Sequence, residues 1–102
     1  MIEVTILIPV RSNAGDTFDA GQHAAFEEFL AGLCGGFTLL PDHSTGGWQF
    51  EGRLVRDKML IYVVALTSIT DAFVLSTIAT RAKAHYAQDA IYVRYLGLSE
   101  IL

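Results

Sequence analysis

The longest hydrophobic segment of the chain runs without interruption from Met59 to Leu66. Its length is too short to span a membrane and is typical of a β-strand buried on both faces. The segment therefore predicts a central strand, with helices covering one face of its sheet and another partner covering the other face. Alternation gives the two faces as Met59, Ile61, Val63 and Ala65, and Leu60, Tyr62, Val64 and Leu66.

Three further segments predict the other strands of this sheet. Ile2 to Val10 alternates between apolar and mixed positions, which is typical of a strand with one core face. Residues 37–50 predict one arm, bent or bulged where Pro41 to Gly47 interrupts it. Glu51-Gly52 predicts the hairpin turn into the long strand 53–66, and residues 90–96 predict the last strand.

Two helices are predicted between these strands. Asp19 and Gln22 have the spacing of a capping box, and Gly35-Gly36 is a suitable stop. Ser68 and Asp71 repeat the capping pattern before a helix that extends to about Ala87. The predicted buried positions are Phe26, Phe29, Leu30 and Leu33 in the first helix, and Leu75, Ile78, Ala79, Ala82 and Tyr86 in the second. Glu27, Glu28 and Phe73 are predicted to be exposed.

The order β-α-β-β-α-β predicts a single α+β domain over residues 1–102. With right-handed crossovers it gives the ferredoxin-like arrangement, a four-stranded antiparallel sheet of order 4-1-3-2 with both helices on one face. An apolar tail from Gly97 to Leu102 is expected to dock on the domain.

Composition narrows the possible partners. The formal net charge is −4 and no basic cluster is present, which disfavours nucleic acid and anionic membranes as partners. Cys34 is the only cysteine, and the N-terminus lacks the features of a signal peptide, so we expect a cytoplasmic protein. The three histidines lack metal-site spacing, and no catalytic set emerges, so neither a metal nor a cofactor is predicted.

The sheet face away from the helices is predicted to be too apolar to remain in water. The first interpretation is a homodimer interface, and the second is a ligand pocket enclosed between two sheets. Glu3 and Arg94 are expected on neighbouring strands, where they could pair. The bulged arm adds aromatic and basic side chains that either bind a small anionic or planar ligand or serve as a core anchor and edge charges. The ligand-binding candidates are His43, Trp48, Arg56, Tyr62, Tyr92 and Arg94.

Two segments carry a resemblance to known proteins. WQFEGRLVRDKMLIYV from Trp48 and RAKAHYAQDAIYV from Arg81 resemble an uncharacterised family of short bacterial proteins, a domain of unknown function. That resemblance implies a fold and no activity, and here Ala87 stands where glycine is expected before Gln88. At fold level the chain is also similar to dimeric ferredoxin-like barrels, which include monooxygenases and ligand-binding modules.

We therefore expect a small homo-oligomeric module, with a dimer as the first hypothesis, that acts in assembly or small-ligand binding through the sheet face away from the helices. The alternative is a small enzyme of the dimeric-barrel type with a pocket between two sheets.

Overall fold

The computed structural model describes residues 1–67, 72–95 and 98–101. Its helices are α1 (Ala20–Cys34) and α2 (Ala72–Tyr86). Its strands are β1 (Ile2–Pro9), β2 (Thr38–Leu39), β3 (Ser44–Phe50), β4 (Arg53–Leu66), β5 (Tyr92–Tyr95) and β6 (Leu98–Ile101).

The strands form one antiparallel sheet with the order β2-β4-β1-β5-β6, and β3 pairs with β4 on the same side as β2. The predicted α+β ferredoxin-like class is confirmed, with the apolar strand β4 inside the sheet. The sheet has one more edge strand than predicted, because β6 (Leu98–Ile101), part of the tail that was expected to dock, pairs with β5. Leu96, Gly97 and Leu102 lie outside the described residues.

The arm before β4 is divided into two strands. Leu39 pairs with Tyr62 and Ser44 pairs with Met59, so residues 40–43 lie opposite residues 60–61 of β4. The Leu40 backbone N–H still donates to the Ile61 carbonyl oxygen at 3.0 Å, and Asp42 takes a left-handed conformation with φ 63°. The predicted interruption is therefore a bulge with two extra residues, and β3 begins earlier than Trp48 because both glycines of the interruption continue the strand.

Local side-chain chemistry sets the ends of α1. The Asp19 carboxylate accepts a hydrogen bond from the Gln22 backbone N–H at 2.7 Å, which satisfies an otherwise unpaired donor of the first turn. Gly35 ends the helix with φ 85°, a conformation that glycine adopts without steric cost. The capping pattern predicted for α2, Ser68 to Asp71, lies outside the described residues.

The core lies between the helices and one face of the sheet. Val4, Ile6 and Ile8 of β1 are fully buried, and they pack with Phe26 and Leu30 of α1. On α2 all five predicted positions are buried, whereas Phe73 is 69% exposed, as predicted. Leu33 was predicted to be buried, but its side chain is 37% exposed because it lies in the last turn of α1. Neither described helix is long and apolar enough to cross a membrane.

Candidate functional site

We define the open face as the sheet surface that points away from both helices. Buried residues of β1, β4 and β5 alternate with it along each strand, and they contact α1 and α2 on the opposite side. No element of the described chain is therefore placed over the open face by the core contacts. The open face comprises Glu3, Thr5, Leu7, Pro9, Thr38, Met59, Ile61, Val63, Ala65, Tyr92 and Arg94, of which only Pro9 is buried.

The open face has an apolar centre with two charged residues, Glu3 and Arg94, near it. Leu7 pairs with Ile61 on one side and with Tyr92 on the other, and all three side chains are half-buried. Glu3 is exposed near one end of this surface, and Arg94 is exposed two residues from Tyr92, between Thr5 of β1 and Ser99 of β6. The expected pair between Glu3 and Arg94 does not form among the described residues, where the register places Arg94 opposite Thr5 and Glu3 opposite Ala65.

The β3–β4 hairpin extends the sheet beyond β1. The β1–β4 ladder ends where Pro9 pairs with Met59, and residues 53–58 of β4 pair with β3. Trp48 lies opposite Val55, on the same side of the sheet as the open face, and it is 45% exposed. Val55 is six residues from Ile61 along β4, so the Trp48 row lies about 20 Å from the centre of the open face.

The six predicted ligand-binding residues do not converge on one site. Tyr92 and Arg94 share the open face, and Trp48 lies on its extension. Arg56 is exposed on the other side of the hairpin, opposite Gly47, and His43 is exposed in the bulge before β3. Tyr62 is fully buried on the helix-facing side, since its hydroxyl and ring both find partners there.

The buried hydroxyl of Tyr62 explains which face of β4 meets the helices. It donates a hydrogen bond to a Glu27 carboxylate oxygen at 2.7 Å, and the Tyr62 ring packs edge-on against Phe26 and Phe37. Burial, together with this hydrogen bond, raises the pKa of Tyr62 well above its ordinary value. Glu27, which was predicted to face water, is therefore half-buried and part of the helix–sheet contact.

A second polar group joins α1 to α2, and we call it the helix seam. The His23 Nδ1 and the Tyr86 hydroxyl are 2.8 Å apart, and the His85 Nε2 donates to the Gln22 carbonyl oxygen at 2.7 Å. Burial raises the pKa of Tyr86 and lowers that of His23, whose shift is partly offset by the Glu27 charge. No cluster of three or more His, Cys, Asp or Glu suited to a metal ion occurs within the described ranges.

Sequence reasoning did not identify the helix seam. The available signal was spacing, because His23 precedes Phe26 by three residues and Leu30 by seven, which places it on the buried stripe of α1. Its partner Tyr86 is 63 residues away in the sequence, so the contact itself depends on the fold.

A cavity of about 300 Å³ lies at the edge of the sheet, where α1 ends and β2 begins. It is open to solvent, and its lining combines the polar residues Glu3, Cys34 and Thr38 with glycines and the apolar residues Phe37, Val63, Val64 and Ala65. Burial raises the pKa of the Cys34 thiol, so burial favours the neutral form over the nucleophilic thiolate. The cavity therefore offers a few polar groups but no activated nucleophile.

Several solved structures share this fold. A phage SAM lyase in complex with S-methyl-5′-thioadenosine is 14% identical, with a TM-score of 0.66 over 99% of this chain and 86% of that one. The divalent cation tolerance protein CutA1 from Thermus thermophilus is 19% identical, with a TM-score of 0.65 over 98% and 86%. A point mutant of CutA1 from Pyrococcus horikoshii is 14% identical, with a TM-score of 0.62 over 100% and 87%.

No family model matches the chain, and no curated protein matches it. The resemblance to an uncharacterised bacterial family therefore rests on the two quoted segments alone. At these identities the structural neighbours show a shared ferredoxin-like fold, and their activities remain properties of those proteins.

Proposed function

We propose that the protein is a homo-oligomeric assembly module in which the open face of one copy packs against the open face of a second copy. The observation that carries this proposal is the apolar centre of the open face, with Leu7, Ile61 and Tyr92 side by side on three neighbouring strands. An exposed sheet surface of this composition is typical of a protein–protein interface.

The two charged residues near the apolar centre favour a second copy over an unrelated partner. Glu3 and Arg94 have opposite charges and form no ion pair with each other within the described ranges. In a two-fold arrangement each contact occurs twice, so Glu3 of each copy can face Arg94 of the other. Such self-complementarity fixes the register of two identical faces.

The enzyme alternative depends on an enclosed pocket between two sheets. The cavity near Thr38 reaches the open face at Glu3, Val63 and Ala65, but it is open to solvent, and none of the six predicted ligand-binding residues lines it. A packed interface is therefore better supported than a catalytic pocket. Tyr92 and Arg94 keep a role in this proposal as interface residues.

Size-exclusion chromatography with light scattering tests the proposal. The chain has a mass of 11.2 kDa, and we expect twice that mass or a higher multiple at micromolar concentration, because an apolar sheet face favours burial. A monomer across the micromolar range would contradict both the interface and the pocket between two sheets.

A further inference from the structure

We infer that the contact between His23 and Tyr86 is an acid-sensitive latch that holds α1 against α2 while the imidazole is neutral and releases α1 when the imidazole gains a second proton. The latch lies on the helix side of the sheet, away from the open face, so it is independent of the proposed interface. Its geometry is a 2.8 Å contact between His23 Nδ1 on α1 and the hydroxyl of Tyr86, near the end of α2.

The neutral seam satisfies its hydrogen bonds. Tyr86 is fully buried, so its hydroxyl proton needs an acceptor inside the protein, and the neutral His23 Nδ1 provides one. Rings surround the contact, with the centroid of Phe18 4.9 Å from that of Tyr86 and 6.2 Å from that of His23. No buried side-chain nitrogen or oxygen of the described residues lacks a hydrogen-bond partner.

A second proton on His23 disturbs this arrangement in two ways. Nδ1 becomes a donor, so the Tyr86 hydroxyl has to turn its own hydrogen away from the acceptor that the neutral seam provides. The imidazolium is also half-buried between α1 and α2, where loss of hydration disfavours a charge. Both effects disfavour the protonated form of His23, which agrees with its lowered pKa, whose largest cause is burial.

The charged surroundings of His23 act in both directions. Glu27 and Asp19 on the α1 side favour its protonated form, whereas His85 on α2 and His43 in the bulge before β3 oppose it. Tyr86 keeps its proton at neutral pH, since the ordinary tyrosine pKa is about 10 and burial raises the pKa of Tyr86 further. Burial outweighs the two carboxylates, so the neutral imidazole is the form that the folded seam favours.

The sign of the pH effect follows from linkage. Because the pKa of His23 is lowered in the folded protein, the unfolded or opened seam binds the proton more readily. The stabilisation is present above the ordinary histidine pKa of about 6.5 and is lost as the pH falls below it. Each unit by which the folded pKa is depressed makes seam opening about tenfold more frequent in acid.

Native-state hydrogen exchange, corrected for intrinsic rates, tests the latch at pH 7.5 and pH 5. We expect the amides of α1 to open more often at pH 5 than at pH 7.5, while those of β4 keep their protection. His23→Gln provides an uncharged acceptor for Tyr86 and should abolish the pH dependence. His43→Gln, at an exposed position, should retain most of it, because His43 makes the smallest of the contributions to the pKa of His23. Equal protection of α1 at both pH values, parallel loss in β4, or pH dependence retained in His23→Gln would each overturn the latch.

A second measurement covers the case in which the glutamine variant fails to fold. NMR titration of the wild-type His23 ring should give a pKa below about 6.5, with the α1 amide shifts following the same curve. A His23 ring that titrates at or above that value would overturn the latch, as would α1 shifts that do not follow it.

Discussion

Replacing Phe26 with alanine is expected to lower the free energy of unfolding by about 3–5 kcal/mol, the range for removing a buried phenylalanine from a packed core. The ring is almost completely buried between α1, α2 and β4, and it lies edge-on to Tyr62 and Tyr86. It is also stacked on His85 with ring centroids 6.1 Å apart. Since a domain of this size has a total stability of about 5–15 kcal/mol, this loss would leave the fold marginal.

Phe73→Ala is the matched control, because it makes the same change on a helix at a position that is 69% exposed. We expect an effect within about 0.5 kcal/mol there, which denaturant unfolding of both variants will resolve. Similar losses in the two variants would show that α1 does not pack on the core through Phe26.

Replacing Ile61 with lysine is expected to weaken self-association on the order of 100-fold or more. Ile61 lies beside Leu7 near the centre of the open face, where the proposed second copy excludes water. A lysine there would bury a charge without a partner, which costs about 3–5 kcal/mol when the contact forms. The variant remains foldable, because in a single copy the long side chain can extend into solvent.

Sedimentation equilibrium measures this dissociation, with Ala24→Lys as the control. Ala24 is exposed on α1, so the control adds the same charge on the opposite side of the molecule. It should leave the association constant unchanged. An Ile61→Lys variant that associates as tightly as the wild type would exclude the open face as the interface.

Most of the architecture could be predicted because the local signals agree with each other. The apolar run from Met59 to Leu66 fixes the inner strand, and Asp19 and Gly35 mark the two ends of α1. The turn at Glu51-Gly52 was also predicted from the sequence, and it is confirmed by the positive φ values of the two residues, 50° and 77°. Each of these features depends on residues that are close together in the sequence, so the sequence alone was sufficient to predict it.

The orientation of β4 could not be predicted in this way. Both of its faces are apolar, so alternation alone does not show which one meets the helices. The choice depends on the contact of Tyr62 with Glu27, 35 residues earlier in the chain. The strand β6 was missed for a similar reason, because four residues after a glycine have too short a pattern to separate a strand from a docked tail.

The positions of the candidate ligand-binding residues could be predicted only in part, and their role as a site stays a prediction. Tyr92 and Arg94 were placed on the open face correctly, because β5 alternates between Ile91, Val93 and its polar positions. Trp48, Arg56 and His43 were grouped because they are close in sequence. Successive residues of an extended strand point to opposite sides of the sheet, and the register places Arg56 opposite Gly47 rather than Trp48. Arg56 and Trp48 therefore lie on opposite sides of the hairpin, although they are close in sequence.

The most direct test of the central claim is the access of a soluble paramagnetic gadolinium chelate to methyl groups, measured by NMR. We predict that the methyls of Leu7 and Val63 are protected in the wild-type protein and become broadened in the Ile61→Lys monomer, whereas the Ala24 methyl is equally broadened in both. Equal broadening of Leu7 and Val63 in the two proteins would show that the open face faces solvent, and would contradict the account.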